Sequence, residues 1–280
     1  MSIVDVKEIV EKKKTSLKRE ILDLRDKGII PKLAVILAND VEASRIYVSR
    51  KRKLCEELGI EDVEYFFDEK VKTEDILELI EKLNHNDEID GILVQLPLFK
   101  HLDETKIIDS ILPEKDVDGF SAVNVGRLYE GKPSVIPCTP KGILAILKEL
   151  EPNLAGKNAV IVGRSQIVGK PMASLLLNQD MTVTICHSKT TNLPEHTRNA
   201  DVLVVATGVP HLIKADMIKP DSIVIDVGMN RLKDKLVGDV DTMSVQDVTK
   251  YVTPVPGGVG LTTVLSLAQN VVELSKRRLK

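Results

Sequence analysis

Ala159-Val160-Ile161-Val162-Gly163-Arg164-Ser165-Gln166-Ile167-Val168-Gly169-Lys170-Pro171 reads as a buried strand that runs into a glycine turn and then a helix. A glycine at the strand end permits the tight turn, and amides of the following helix can cradle phosphate. Ser165 stands where the second glycine of G-x-G-x-x-G belongs, so a plain strand–turn–helix also satisfies this motif alone. Around it, strands recur at Asn158–Val162, Thr182–Cys186, Asp201–Val205 and Ser222–Val227, with helical or looped segments between them. Strands alternating with helices imply an α/β fold with a parallel sheet. The second strand bears on the ligand. Folds that take NAD place an acid about 20 residues after the glycine turn to bind the ribose hydroxyls. Here the chain reads Thr184-Ile185-Cys186-His187-Ser188-Lys189, with no acid. An acid would repel a 2′-phosphate, whereas Arg164, Ser188 and Lys189 suit one, which favours NADP over NAD.

A similar pattern precedes it. Val4 to Lys27 has helical spacing, Lys32–Ala38 is a buried strand, and Ala43–Leu58 is a helix ended by Gly59. Val63–Phe67 is strand-like, Thr73–Leu83 helical, and Gly91–Val94 another short strand. From Pro113 to Pro140 turn residues dominate, and this stretch reads as the connection between domains. A helix over Pro140–Leu150 opens the second pattern. The glycine-rich Pro254-Val255-Pro256-Gly257-Gly258-Val259-Gly260 leads into a closing amphipathic helix, Leu261–Leu279.

The 280 residues are 43% hydrophobic and 29% charged, ample for a core without disulfides or a structural metal. A formal net charge of −3 signals no broad basic face, so nucleic acid is not an expected partner. The basic runs Lys12–Lys14 and Lys276–Lys280 are expected as solvated charge at helix ends. Cys55, Cys138 and Cys186 are far apart, and the histidines lack ligand spacing, so no metal site is expected. No apolar run approaches the ~20 residues of a membrane span, and Met1–Lys14 lacks a signal-peptide core. A cytoplasmic location is the expectation.

Ser44, Tyr47 and Lys51 fall at spacings of three and four and so share one face of the helix Ala43–Leu58. A Tyr-x-x-x-Lys pair also occurs in short-chain dehydrogenases, but there the nucleotide turn comes first; here the pair precedes it. The strand Gly91–Val94 ends in Gln95-Leu96-Pro97, and ligand crevices lie beyond the carboxyl ends of such strands. Asp118 lies in the connection. A cleft between two α/β units that gathers Lys51, Gln95 and Asp118 is a plausible active site.

Together these segments resemble the bifunctional methylenetetrahydrofolate dehydrogenase/methenyltetrahydrofolate cyclohydrolase family. The likeness runs in order through AS-x-x-YV-x-x-K at Ala43–Lys51, DGILVQLPL at Asp90–Leu98 and PEKDVDGF at Pro113–Phe120. It continues through PCTPKGI at Pro137–Ile143, GRSQIVGKP at Gly163–Pro171 and TVTICHSKT at Thr182–Thr190. VIDVGMN at Val224–Asn230, GDVD at Gly238–Asp241 and TPVPGGVG at Thr253–Gly260 complete it. The resemblance implies two α/β domains with a cleft between them, a folate-binding one over 1–137 with the returning helix 261–280, and a Rossmann-type NADP domain over 138–260. It implies a homodimer that oxidises methylenetetrahydrofolate with NADP and hydrolyses the product to 10-formyltetrahydrofolate. Lys51 would be the proton-transfer group, Gln95 its orienting partner, Tyr47 a stacking platform and Asp118 a pterin ligand. Folate would also meet Ser44, Leu96, Pro97, Pro256, Gly257 and Gly258. NADP would meet Gly163, Arg164, Ser165, Ile167, Val168, His187, Ser188, Thr207, Gly208, Gly228, Asn230, Asp239, Val240, Gly258 and Thr262. The chain departs from the family at Leu261-Thr262, usually Pro-Met, and at Asn39-Asp40-Val41-Glu42 before the helix, where Asp40 or Asn39 would cap it. A folate- or NADP-binding protein without catalysis is the alternative from another class; the intact Lys51 and cofactor loop weigh against it.

Overall fold

The computed structural model describes residues 2–279, apart from the side chain of Ala43. Its contacts divide it into two compact units: Lys12–Cys138 with the stretch from Val264 onward, and the stretch ending at Glu11 with Thr139–Thr263.

The elements of the first half are α1 (Val6–Arg25), β1 (Lys32–Leu37), α2 (Glu42–Leu58), β2 (Glu61–Phe66), α3 (Thr73–Asn84), β3 (Gly91–Gln95), α4 (Glu104–Asp109) and α5 (Ala122–Tyr129). The three strands pair in parallel in the order β2-β1-β3. β1 is Lys-Leu-Ala-Val-Ile-Leu with its last five residues buried, the near-continuous apolar run expected of a parallel strand covered on both faces. Ala34, Ile36, Ile76, Ile80, Ile92 and Ile107 form its core with α3 and α4. Gly59 ends α2 at φ 82°, where its N–H and that of Ile60 return to the Cys55 carbonyl.

The other elements are α6 (Cys138–Leu150), β4 (Asn158–Val162), α7 (Gly169–Leu177), β5 (Thr182–Cys186), α8 (Leu193–Thr197), β6 (Val202–Val205), β7 (Ile223–Asp226), β8 (Asn230–Leu232), β9 (Lys235–Val237), α9 (Thr242–Val245), β10 (Tyr251–Val252) and α10 (Val259–Ser275). Five form a parallel sheet in the order β10-β7-β6-β4-β5, and β8 and β9 make an antiparallel hairpin. Val160, Val162, Leu203, Val205, Val224 and Val252 build the core on one face. Ile3 bridges Val252 in parallel, and the Val4 N–H donates to the Val252 carbonyl at 3.0 Å, which fastens the N-terminal stretch to this sheet.

Three expectations need correction. The turn-rich stretch after Pro113 contains the helix α5, capped by Ser121, whose hydroxyl accepts from Asn124 N–H. Lys12–Lys14 lies inside α1 rather than at its end, with Lys14 paired to Glu57. Neither Asp40 nor Asn39 caps α2: Val41 takes that position without a side-chain cap, Asp40 pairs with Arg45, and Asn39 Oδ1 accepts from the N–H of Val41 itself rather than from the first turn of the helix.

Candidate active site

In each sheet the chain leaves the first strand to one side, then returns to its other side. β3 pairs with β1 opposite β2, and β6 pairs with β4 opposite β5. Ligand crevices open at the carboxyl ends of the strands at such reversals. Gln95 ends β3, Gly163 follows β4, and Thr207 and Gly208 lie just beyond β6.

In the three-stranded sheet the reversal lies between the ends of β1 and β3. Asn39, 5% exposed, follows β1; its Nδ2 donates to the Pro97 carbonyl at 2.6 Å and its Oδ1 accepts from Val41 N–H at 2.9 Å. One carboxamide thus ties the start of α2 to the Leu96–Pro97 turn, whose peptide is cis. Lys51, half-buried on α2, donates from Nζ to Gln95 Oε1 at 3.0 Å. Gln95 Nε2 donates to the Leu96 carbonyl at 2.8 Å. A lysine only donates and a carbonyl only accepts, so these contacts fix the carboxamide one way round. Tyr47 lies one turn before Lys51, half-buried, and burial pushes its phenol up while Arg50 pulls it back. Ser44 is buried on the same helix.

Asp118 sits on a held turn. Buried Asp116 accepts from Gly119 N–H at 2.9 Å, Ser121 N–H at 2.8 Å and Asn124 Nδ2 at 3.0 Å. On the other side Asn270 of α10, fully buried, donates to the carbonyls of Val117 at 2.8 Å and Ile136 at 2.9 Å. Burial pushes the Asp118 carboxyl above the usual range; the Lys51 charge draws it down, Asp116 adds to the rise and Cys138 offsets it by a hydrogen bond. Lys51 therefore acts on both Gln95 and Asp118. Asn39, Asp116 and Asn270 are positioning residues that sequence reading did not single out for the site. Asp116 lies inside the quoted PEKDVDGF segment and Asn39 in the quoted turn before the helix, whereas Asn270 is one polar residue in a helical stripe and carries no local signal.

In the five-stranded sheet the reversal lies between β4 and β6. Gly163 has φ 132°, and a Cβ there would meet the Ala206 carbonyl. Ser165 Oγ accepts from Val168 N–H at 3.1 Å and closes the turn into α7. Val162 pairs with Cys186, and Arg164 and Ser188 each stand two residues beyond that pair in the chain, past the ends of adjacent strands. Both are exposed, as is Ile167. His187 N–H donates to Thr190 Oγ1 at 2.8 Å, and its Nδ1 accepts from Lys189 N–H. Gly208, φ 70°, and Gly257, φ 100°, have open space where a Cβ would stand. Exposed Val209 and Met229 add apolar surface at the ends of β6 and β7. Cations, amides and apolar surface at one strand edge fit a dinucleotide. Asp239 and Val240 are buried, with the Asp239 carboxylate engaged by Thr207, Gly208 and Asn230. Gly258 and Thr262 are buried too, and Thr262 Oγ1 donates to the Val259 carbonyl at 2.9 Å. Among the described residues no group of three or more His, Cys, Asp or Glu is placed to hold a metal ion.

Comparison with known proteins decides the family. Residues 4–118 match the tetrahydrofolate dehydrogenase/cyclohydrolase catalytic domain, and residues 137–279 match its NAD(P)-binding domain. The chain belongs to the tetrahydrofolate dehydrogenase/cyclohydrolase family. It is 52% identical to the bifunctional protein FolD of Campylobacter hominis, over 100% of this chain and 99% of that one. The FolD of Acetivibrio thermocellus is 51% identical over 99% of this chain and 98% of its own length. Among solved structures, the bifunctional FolD of Campylobacter jejuni superposes with a TM-score of 0.97 at 48% identity, covering 99% of each chain. The Trypanosoma brucei enzyme, solved with NADP cofactor and inhibitor, gives 0.94 at 34% identity over 99% and 98%. As a member of the tetrahydrofolate dehydrogenase/cyclohydrolase family the chain is both an oxidoreductase and a hydrolase. Its fold is α/β, with a second domain of Rossmann type.

Proposed function

We propose that Lys51 moves protons during hydrolysis of 5,10-methenyltetrahydrofolate, that Gln95 orients it, that Tyr47 stacks on the folate and that Asp118 hydrogen-bonds the pterin. The chain oxidises 5,10-methylenetetrahydrofolate to the 5,10-methenyl compound by hydride transfer to NADP, then hydrolyses that to 10-formyltetrahydrofolate. The observation that carries the assignment is the 3.0 Å bond from Lys51 Nζ to Gln95 Oε1 at the reversal of the folate-side sheet. Water adds to the cationic methenyl carbon, one carbon–nitrogen bond opens, and one proton is left over. A half-buried amine held by an amide is suited to take the proton from the added water and return one to the leaving nitrogen. Hydride transfer needs alignment of two carbons, which the binding surfaces supply.

For NADP, Arg164 and Ser188 are the proposed 2′-phosphate ligands, with Lys189 beside them. Gly163, Ser165, Ile167 and Val168 supply the turn and the helix start, and His187 lies next to the ribose. Thr207, Gly208, Gly228 and Asn230 line the ends of β6 and β7; Asp239, Val240 and Thr262 shape this surface from beneath. Ser44, Leu96, Pro97, Pro256, Gly257 and Gly258 complete the folate contacts. The functional division proposed is 1–137 with 261–280, and 138–260; the shift in contacts at Cys138/Thr139 and Thr263/Val264 supports its two later boundaries, while the stretch ending at Glu11 makes its contacts with Thr139–Thr263. A cytoplasmic homodimer belongs to the same proposal and rests on the family resemblance; light scattering on the eluting protein tests its mass. Turnover of methylenetetrahydrofolate with NADP, and decay of methenyltetrahydrofolate, followed by absorbance in the wild type and Lys51→Met, test the assignment. Hydrolysis at the wild-type rate in Lys51→Met refutes the role of Lys51.

A further inference from the structure

Two buried aspartates sit at the carboxyl ends of β6 and β7, their oxygens taken up by the surrounding turns. Asp226, the last residue of β7, is 1% exposed. Its Oδ1 accepts from the N–H groups of Gly228 at 2.9 Å and Asp239 at 3.0 Å, and its Oδ2 from Val240 N–H at 2.9 Å. Asp239 is fully buried. Its Oδ2 accepts from Thr207 N–H at 2.6 Å, the Thr207 hydroxyl at 2.9 Å and Gly208 N–H at 2.9 Å, and its Oδ1 from Asn230 Nδ2 at 2.8 Å. The donors named are amides, a hydroxyl and a carboxamide, not cations. A Cβ on Gly228 would overlap the Asp239 carboxylate, and one on Gly238 the Asp226 carboxylate, so the backbone passes directly over both. Two neighbouring buried acids are a costly way merely to hold a fold together. What they hold, at the mouth of a parallel sheet, are the turns Thr207–Gly208 and Gly228–Asn230.

We propose that Asp226 and Asp239 are a positioning pair that holds these two turns in their dinucleotide-binding shape, so that NADP affinity depends on Asp226 being ionised. This rests on the nucleotide-site reading given above. A protonated Asp226 presents an O–H where one of its three amide donors needs an acceptor, and that segment loses its tie. Burial, with a further push from the Asp239 charge, raises the Asp226 carboxyl to about 6 against the pull of the Val240, Asp239 and Gly228 amides. The switch thus falls in an accessible range. The hairpin of β8 and β9 carries Arg231, Lys233, Asp234 and Lys235, all exposed, and Asp241 follows Val240. Thr253 of the stretch after β10 meets the Asp226 N–H through its hydroxyl, and the turn after β6 brings Thr207 and Gly208. His211, whose N–H donates to the Gly238 carbonyl at 3.1 Å, is the titratable group to control for.

The test is calorimetric titration of NADP into the folded chain between pH 5 and 7.5. Asp226→Asn puts an N–H₂ against an amide donor and is expected to weaken binding about tenfold at pH 7.5. From pH 7.5 to 5 the wild type is expected to weaken about tenfold more than the variant does. The 2′-phosphate of NADP itself titrates near ~6, but it does so for both proteins and cancels in the comparison. His211→Asn is expected to keep the wild-type slope. Should Asp226→Asn fail to fold by circular dichroism, Thr207→Val, which removes one donor to Asp239, is expected to weaken NADP several-fold, and unchanged affinity there overturns the proposal. Wild-type affinity and slope in folded Asp226→Asn overturn it as well. Arg164→Ala separates the layers. If it weakens NADP while Asp226→Asn does not, only the positioning role falls; if Arg164→Ala has no effect, the nucleotide-site reading falls and the pair with it.

Discussion

Shortening Gln95 to Asn leaves the amide chemistry intact and removes one methylene. Lys51 Nζ lies 3.0 Å from Gln95 Oε1. Drawing that oxygen back by about 1.5 Å, one carbon–carbon bond, leaves a separation beyond hydrogen-bond range. A hydrogen bond to a charged group contributes about 1.5–3 kcal/mol, and Lys51 is half-buried, so water replaces part of it and the lower value applies. At about 1.4 kcal/mol per decade this is roughly tenfold in the rate of hydrolysis. Gln95→Leu deletes the bond altogether and is expected to fall at least as far, with Lys51→Met lower still, by at least about a hundredfold. The assay is stopped-flow decay of methenyltetrahydrofolate absorbance at saturating substrate, with NADP affinity measured in parallel to show that the other unit is intact. Hydrolysis by Gln95→Asn within twofold of wild type means that the bond does not position Lys51, and the orienting role is wrong.

Arg164→Ala is expected to raise the Michaelis constant for NADP far more than that for NAD, since it removes a cation and not a ribose contact; equal effects count against a 2′-phosphate ligand. Arg278→Ala strands the Asp90 carboxylate, 3% exposed, which Arg278 Nη2 meets at 2.8 Å and Lys32 N–H at 2.8 Å. The loss is expected to be about 2–3 kcal/mol in urea unfolding at pH 7. It is expected to shrink towards pH 4, because burial already pushes this carboxyl up and protonation removes the stranded charge. Asp226 makes a prediction for stability as well. Its folded value of about 6 lies above the ordinary 3.8, so ionisation disfavours the folded state, and stability is lost as pH rises through 6. The rise corresponds to roughly 3 kcal/mol over the whole interval from about pH 3.8 to 6, about half of it above pH 5, and urea unfolding of Asp226→Asn is expected to lack that slope between about pH 4 and 6.5.

The central strand β4 was legible because it is buried and reads as an apolar run, Asn158–Val162, whereas the edge strand β5, half-exposed, was legible from its β-branched residues over Thr182–Cys186. Gly59 and Gly163 marked a helix end and a strand end for the same reason, a backbone angle open to glycine. Elements made by tertiary context were not legible. α5 lies in a turn-rich stretch and is set by the Ser121 cap and the Asp116–Asn124 bond, a pairing across eight residues that no periodicity reveals. β10 has two residues, and β8 and β9 three each, too short for an alternation to register. In the site, residues whose side chains meet ligand announced themselves by type and motif. Those that hold them in place did so less, because a carboxylate that accepts backbone amides looks in sequence like any other acid.

The departures from the family at the start of α10 follow the same logic. Leu261 stands where the family usually has proline, and its N–H donates to the Gly258 carbonyl at 3.0 Å, a bond that proline cannot make. Thr262, in place of methionine, is 2% exposed and bonds back to Val259, while a Cβ on Gly142 would overlap its side chain. A smaller residue at 262 therefore lies against a backbone with no side chain of its own, and one extra amide bond secures the first turn of the helix. Both substitutions are absorbed within the turn that carries them. Lys51, Gln95 and Asp118 are retained, as are Gly257 and Gly258. What distinguishes this chain at the glycine loop is thus how the loop is fastened, while the groups proposed to do the chemistry are the same.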